Sequence, residues 1–144
     1  MPGYMNRSLS DSWGTPSKIK EKYKNYYDPC PFPKPAEYNG LDKDWLPHKL
    51  VFVNPPYSNI KPWAKKCHDT FIEAKNKGIP IKIDLLIPAR TDTTYFHDYI
   101  YNIAEIKFIK GRLKFVDLTG VSKKVTSAPF PSIVCSYYNK PDNV

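Results

Sequence analysis

Cysteine is scarce in this 144-residue chain, and its three copies, Cys30, Cys67 and Cys135, stand far apart with no Cys-x-x-Cys pair and no matching histidine spacing. That excludes a disulfide framework and a spaced zinc site, and it assigns the chain to a reducing compartment: the cytosol of a cell or an infected host, or the host nucleus if the source is viral. No stretch approaches the roughly 20 apolar residues needed to span a bilayer, and the polar N-terminus lacks the apolar core of a signal peptide, so no membrane partner is expected. Internal repeats and low-complexity tracts are absent too. Acidic residues are in deficit, 14 against 22 lysines and arginines, for a formal charge of +8. Such an imbalance fits a polyanionic partner, of which nucleic acid is the commonest, or simply a solvated basic surface.

What is present is the composition of a folded globule: 41% hydrophobic residues against 25% charged ones place the chain outside the disordered class. A chain of this length forms one domain and buries roughly 70% of its unfolded surface. Residues 1–12 are polar and aperiodic and are expected to be a flexible N-terminal segment, leaving a single domain over 13–140. The sequence leaves the oligomeric state open, a homodimer included.

Thr15 can cap a helix with Pro16 at its first position, and Ile19, Tyr23 and Tyr26 recur at helical spacing, which predicts a helix over about 16–25. Four of the fifteen prolines crowd Tyr26 to Pro35, which permits only a very short strand near Tyr26–Asp28. A brief helical turn is expected around Gly40–Trp45, then a buried strand at Leu50-Val51-Phe52-Val53. From Ile60, the residues Trp63, Ala64, Cys67, Phe71 and Ile72 share one helical face, and Gly78 with Pro80 ends the element. Ile81–Ile87 reads as a second buried strand containing Asp84, followed by a helix with Phe96, Tyr99, Ile100 and Ile103 on one face. Ile106–Ile109, Arg112–Val116 and Ile133–Tyr137 add three strands, the first two pairing across Lys110-Gly111. The alternation predicts an α/β fold: a mostly parallel sheet flanked by helices, with a C-terminal antiparallel hairpin.

Ligand sites in open α/β sheets lie beyond the carboxyl ends of the strands. Asn54-Pro55-Pro56-Tyr57 occupies that position. One reading is a rigid turn, because proline and asparagine favour turns. The other is a hydrogen-bonding slot for an exocyclic amine on a flat base: the Asn54 side-chain oxygen and the Pro55 carbonyl accept the two amino hydrogens, and Tyr57 stacks on the base. Withdrawing the nitrogen lone pair from ring conjugation lets it attack an electrophilic methyl. A base in a duplex reaches such a slot only when flipped out.

Asn54-Pro55-Pro56-Tyr57-Ser58 resembles the catalytic motif of DNA amino-methyltransferases, and the wider pattern resembles the phage-type DNA N6-adenine methyltransferase family. The match takes in Trp13-Gly14-Thr15-Pro16, Trp63, Pro88 to Thr93, Phe96-His97, Gly111-Arg112-Leu113 with Phe115, and Ala128-Pro129-Phe130-Pro131-Ser132, running from about residue 11 to 138. The resemblance implies a reduced Rossmann-like fold, S-adenosylmethionine as cofactor and adenine N6 in DNA as acceptor, with Asn54, Pro55, Pro56 and Tyr57 catalytic. It also implies modification of viral DNA against host restriction. Cofactor contacts would come from Thr15 and Pro16 at the methionine end, from Asp28 at the ammonium or ribose, and from Trp13 and Asn54. The chain departs from related methyltransferases in having no glycine-rich loop near Asp28. That keeps open a degenerate, non-catalytic DNA-binding or assembly module, and the slot itself would also admit RNA or a glutamine amide.

For DNA contacts the sequence offers Arg90, equally readable as a loop clamp with Asp92, and Arg112 on a hairpin with Lys110 and Lys114, where a backbone contact fits somewhat better than a solvated basic hairpin. His97 is more simply a surface or packing residue. A buried Asp84 requires a partner, structural or functional. The lysine face Lys61, Lys65 and Lys66 reads as solvent surface, and the cysteines as packing residues.

Overall fold

The computed structural model describes residues 13–32, 34–117 and 125–141; the predicted flexible segment 1–12 lies outside them. Seven strands, β1 (Trp13–Gly14), β2 (Leu50–Val53), β3 (Ile81–Pro88), β4 (Glu105–Phe108), β5 (Lys114–Asp117), β6 (Val125–Ser127) and β7 (Ser132–Asn139), are joined by three α-helices among the described residues: α1 (Ser17–Lys22), α2 (Lys61–Lys77) and α3 (Thr94–Tyr99). The class is α/β.

The main sheet has the order β2-β3-β7-β4. β2 and β3 are parallel, with Val53 opposite Leu85. β7 is antiparallel to β3 along all of it, from Ile81 opposite Asn139 to Pro88 opposite Ser132, and antiparallel to β4, with Phe108 opposite Ile133. Beside β2, Tyr27 forms an isolated parallel bridge to Val51. Tyr27, β2, β3 and β4 therefore run one way and β7 runs against them. The carboxyl ends of β2, β3 and β4 and the start of β7 meet at one edge.

Alternation along the strands divides the core between two faces. Val51, Val53, Ile83, Leu85, Ile87, Ile133, Cys135 and Tyr137 pack under α2 and α3, while Phe52, Leu86 and Val134 pack with Tyr23, just past α1. α2 forms because Trp63, Ala64, Cys67, Phe71 and Ala74 line one buried stripe, and burying rings the size of Trp63 and Phe71 stabilises by roughly 2–3 kcal/mol each. It ends where Gly78 adopts φ 66°, a left-handed conformation that glycine takes without a Cβ clash. Asn139 then donates to the carbonyls of Ala74 and Ile79 at 3.3 and 2.8 Å, tying that end to β7.

Asp84, on the opposite face, is 2% exposed and structurally partnered. It accepts from the Tyr23 hydroxyl at 2.6 Å and the Ser136 hydroxyl at 2.7 Å, with Lys82 Nζ 3.8 Å away. Tyr23 also stacks on Phe52 with ring centroids 4.2 Å apart. One buried carboxylate thus pins the chain after α1 to the middle of the sheet.

Three expectations are corrected. The sheet is mixed rather than mostly parallel in its pairings, because β7 inserts between β3 and β4. The hairpin across Lys110-Gly111 does not form: β4 spends its ladder on β7, Ile109 N–H continues it to the Ser132 carbonyl, and Gly111 turns at φ 77°. β5 instead joins a second sheet, β1-β5-β6. Finally, the first helix is Ser17–Lys22, with Pro16 at its cap and no side-chain cap bond, so the Thr15 hydroxyl is not a helix cap.

Candidate active site

β2 delivers Asn54 to the edge where the parallel strands end. Asn54 is half-buried, and its Nδ2 donates to Thr15 Oγ1 at 2.8 Å across thirty-nine residues of sequence. The Pro56 carbonyl accepts from Asn59 N–H at 3.0 Å, closing a tight turn. No backbone donor reaches the Pro55 carbonyl among the described residues. Two prolines fix φ at consecutive positions, so the Asn54 amide and the Pro55 carbonyl sit on a stiff frame.

Tyr57 is half-buried, and loss of solvent pushes its hydroxyl well above the ordinary tyrosine range, against the opposing pull of the Arg90 charge. Its ring meets Phe130 edge-on, with centroids 5.5 Å apart and planes at 75°. The Arg90 guanidinium carbon lies 5.8 Å from the Phe130 centroid, on its face. A row Tyr57, Phe130, Arg90 therefore joins the ends of β2 and β3 to the segment before β7. Phe130 was part of a recognisable sequence block, but nothing local gave it a role; the proline on each side, Pro129 and Pro131, was the available signal for a rigidly presented ring.

Arg90 holds this cation–π contact, and no Arg90–Asp92 ion pair forms among the described residues. His97 bonds the Thr91 carbonyl at 2.8 Å and packs its ring on Phe96 and Tyr101, so it closes its own loop.

The residues expected at the cofactor lie on the β2 side of the edge. Trp13 pairs through its backbone with Asp117, Thr15 reaches Asn54, and Pro16 is extended at φ −55°, ψ 144°. Asp28 follows the Tyr27 bridge and so stands at the end of the strand-like segment beside β2. Its Oδ1 accepts from Cys30 N–H at 3.0 Å. Loss of solvent raises its pKa above the ordinary carboxylate value, partly countered by that bond and by Lys20. In place of a glycine-rich loop, Gly40 packs on the Pro29 backbone: a Cβ there would lie 1.8 Å from the Pro29 oxygen.

Lys110, Arg112 and Lys114 are exposed beyond β4, near Phe108, an edge-strand aromatic that is 76% exposed. Arg112 also donates to the Ala128 carbonyl at 3.2 Å, two residues before Phe130. Among the described residues no cluster of histidine, cysteine or acidic side chains could hold a metal ion, and no helix is long and apolar enough to cross a membrane.

A family model described as DNA N-6-adenine-methyltransferase (Dam) matches residues 4–141. The chain is also similar to a DNA N-6-adenine-methyltransferase of Escherichia phage T1, at 29% identity over 119 residues, covering 74% of this chain and 48% of that protein. It thus spans about half the length of the curated relative it matches. No solved structure matches.

Proposed function

The chain belongs to the DNA N-6-adenine-methyltransferase family, and from that premise we propose that it transfers a methyl group from S-adenosylmethionine to N6 of adenine in DNA. The observation that carries the reading is the seat of Asn54: an amide on a proline-stiffened turn at the end of β2, beside Thr15 and the Tyr57–Phe130 pair. Asn54 Oδ1 and the Pro55 carbonyl accept the two amino hydrogens of a flipped adenine, which localises the N6 lone pair for attack. Tyr57 and Phe130 exclude water from the base, and stacking of this kind contributes about 1–3 kcal/mol per base.

The fold supports the same reading at finer grain. Tyr27, β2, β3 and β4 run in one direction with β7 reversed among them, and we take this as a reduced Rossmann-like methyltransferase sheet within one domain over 13–140. The donors at its edge fit the cofactor chemically: Asp28 for the ammonium or ribose, with Trp13, Thr15, Pro16 and Asn54 alongside. When bound, S-adenosylmethionine supplies a sulfonium-activated methyl. Lys110, Arg112, Lys114 and Arg90 would meet DNA phosphates, consistent with the +8 charge.

The test is transfer of radiolabel from S-adenosylmethionine to DNA, which Asn54→Ala abolishes. A folded wild-type protein that labels no DNA sequence ends the catalytic reading. A second reading, a DNA-binding module without turnover, is favoured by the lack of a glycine-rich loop near Asp28, where Gly40 packs on the Pro29 backbone. Saturable binding of S-adenosylmethionine in a calorimeter removes the main reason for it.

A further inference from the structure

We propose that Phe108 is a stacking residue for DNA, its ring entering the base stack at the place a flipped adenine leaves, an inference that rests on the methyl-transfer reading above. At 76% exposure it is the most exposed large hydrophobic side chain among the described residues. Single apolar residues at a surface are ordinary. β4, however, is an edge of the main sheet, where an open apolar side chain is a liability for strand-to-strand association. A partner that covers the ring accounts for its being kept there.

The sheet register fixes where the ring stands. Phe108 lies opposite Ile133, and Ile106 opposite Cys135, on the face that carries α2 and α3. Ile106 packs on that core, whereas Phe108, two residues nearer the active edge, has passed beyond its cover. Ile133 is opposite Ile87 in β3, and because Val53 is opposite Leu85, the same row extended reaches Pro55 of the slot. Three strand spacings of about 4.8 Å put Phe108 about 14 Å from the slot along one edge. That separation suits the task, because a flipped base stands outside the stack, and a residue that fills its vacated place must stand apart from the pocket that receives it.

The surrounding charge selects the partner. Lys107 before the ring and Lys110, Arg112 and Lys114 after it are exposed, while Glu105, the acidic residue of β4, lies at the other end of the strand opposite Ser136. Cations hold phosphates, and an apolar side chain among them can wedge between base steps, as phenylalanine does in DNA that is being unstacked. A second copy docked on the same patch would bring the same cations against them, which opposes self-association.

The test is fluorescence-anisotropy binding of wild type, Phe108→Ala and Phe108→Tyr to a labelled random-sequence duplex, either intact or with one abasic position, which offers the vacated place without flipping. Stacking of one base on an aromatic ring corresponds to about tenfold in affinity. Wild type is expected to prefer the abasic duplex by about that factor, Phe108→Ala to lose the preference and Phe108→Tyr to keep it. The salt slope should be the same in all three, because no charge changes. Equal affinity of wild type for the two duplexes, or an undiminished preference in Phe108→Ala, overturns the inference. So does a Phe108→Ala protein whose DNA binding is intact but whose self-association in sedimentation is lost, which assigns the ring to a second copy. Methyl transfer separates this outcome from the functional reading. Wild type that labels no DNA yet shows the Phe108-dependent preference ends that reading and keeps the stacking residue, whereas transfer without the preference keeps the reading and ends the inference.

Discussion

Removing one hydroxyl, in Tyr23→Phe, probes how the segment bearing Thr15 is held to the sheet. The phenyl ring keeps its stack on Phe52 at 4.2 Å and almost all its buried area, so the loss is confined to the 2.6 Å bond to Asp84. A hydrogen bond to a charged group contributes about 1.5–3 kcal/mol. Asp84 retains Ser136 at 2.7 Å and Lys82 at 3.8 Å, which places the cost near the middle, about 2 kcal/mol. Ser136→Ala should cost a similar amount. The double variant leaves a 2% exposed carboxylate with only the distant lysine, and should cost about 3–5 kcal/mol, the range for stranding a buried charge. Urea unfolding followed by tryptophan fluorescence measures this: with a slope of about 1–2 kcal/mol/M, each single variant moves the midpoint down by about 1–2 M. A Tyr23→Phe midpoint within 0.2 M of wild type, on the order of a few tenths of a kcal/mol at such slopes, would refute the view that this carboxylate anchors the chain after α1.

Three further outcomes are expected. Gly40→Ala should destabilise by about 3 kcal/mol, the upper range for overpacking, because its Cβ would stand 1.8 Å from the Pro29 oxygen; calorimetric melting checks it, and an unchanged Tm counts against the packing. Burial raises Tyr23 and Tyr137 above their ordinary 10.0, pushes Cys135 up to about 12 and holds Cys67 well above 9.0. The protonated forms therefore support the fold fully below those ordinary values, and stability falls as pH rises past 9 and then 10, by up to about 1.4 kcal/mol per pH unit for each group; urea midpoints that stay level from pH 8 to 11 under reducing conditions contradict this. Replacing Lys110 and Lys114 together with alanine should weaken DNA binding across all sequences and lower the salt slope by about 2; an unaltered slope in fluorescence titrations moves the DNA contact elsewhere.

Much of the molecule was legible locally. The helix over Lys61–Lys77 follows from a buried stripe set by Trp63, Cys67 and Phe71 and from a stop at Gly78, all within one stretch of chain. The strands at Leu50–Val53 and Ile81–Pro88 followed from short apolar runs, and the seat of Asn54 at a strand's carboxyl end followed from the order of those runs. The departures lie where a bond spans the chain. Thr15 looked like a helix cap because cap geometry is local, yet its hydroxyl found Asn54 thirty-nine residues away. Lys110-Gly111 looked like a hairpin turn, yet the two flanking strands pair elsewhere, β4 with β7 and β5 with β1 and β6.

The amino-acid order by itself determined the long helix Lys61–Lys77 and the strands of the main sheet, which face of that helix is apolar, and that an asparagine, two prolines and a tyrosine stand together at a strand end, because these rest on periodicity and fixed backbone angles; the short strands Trp13–Gly14 and Val125–Ser127 carried no such local signal. Tertiary structure alone decided that β7 lies between β3 and β4, that Phe130 meets Tyr57, that Tyr23 and Ser136 satisfy Asp84, and that Thr15 engages the Asn54 amide. Those are contacts between residues far apart in sequence, and their free energy exists only once the chain has closed on itself.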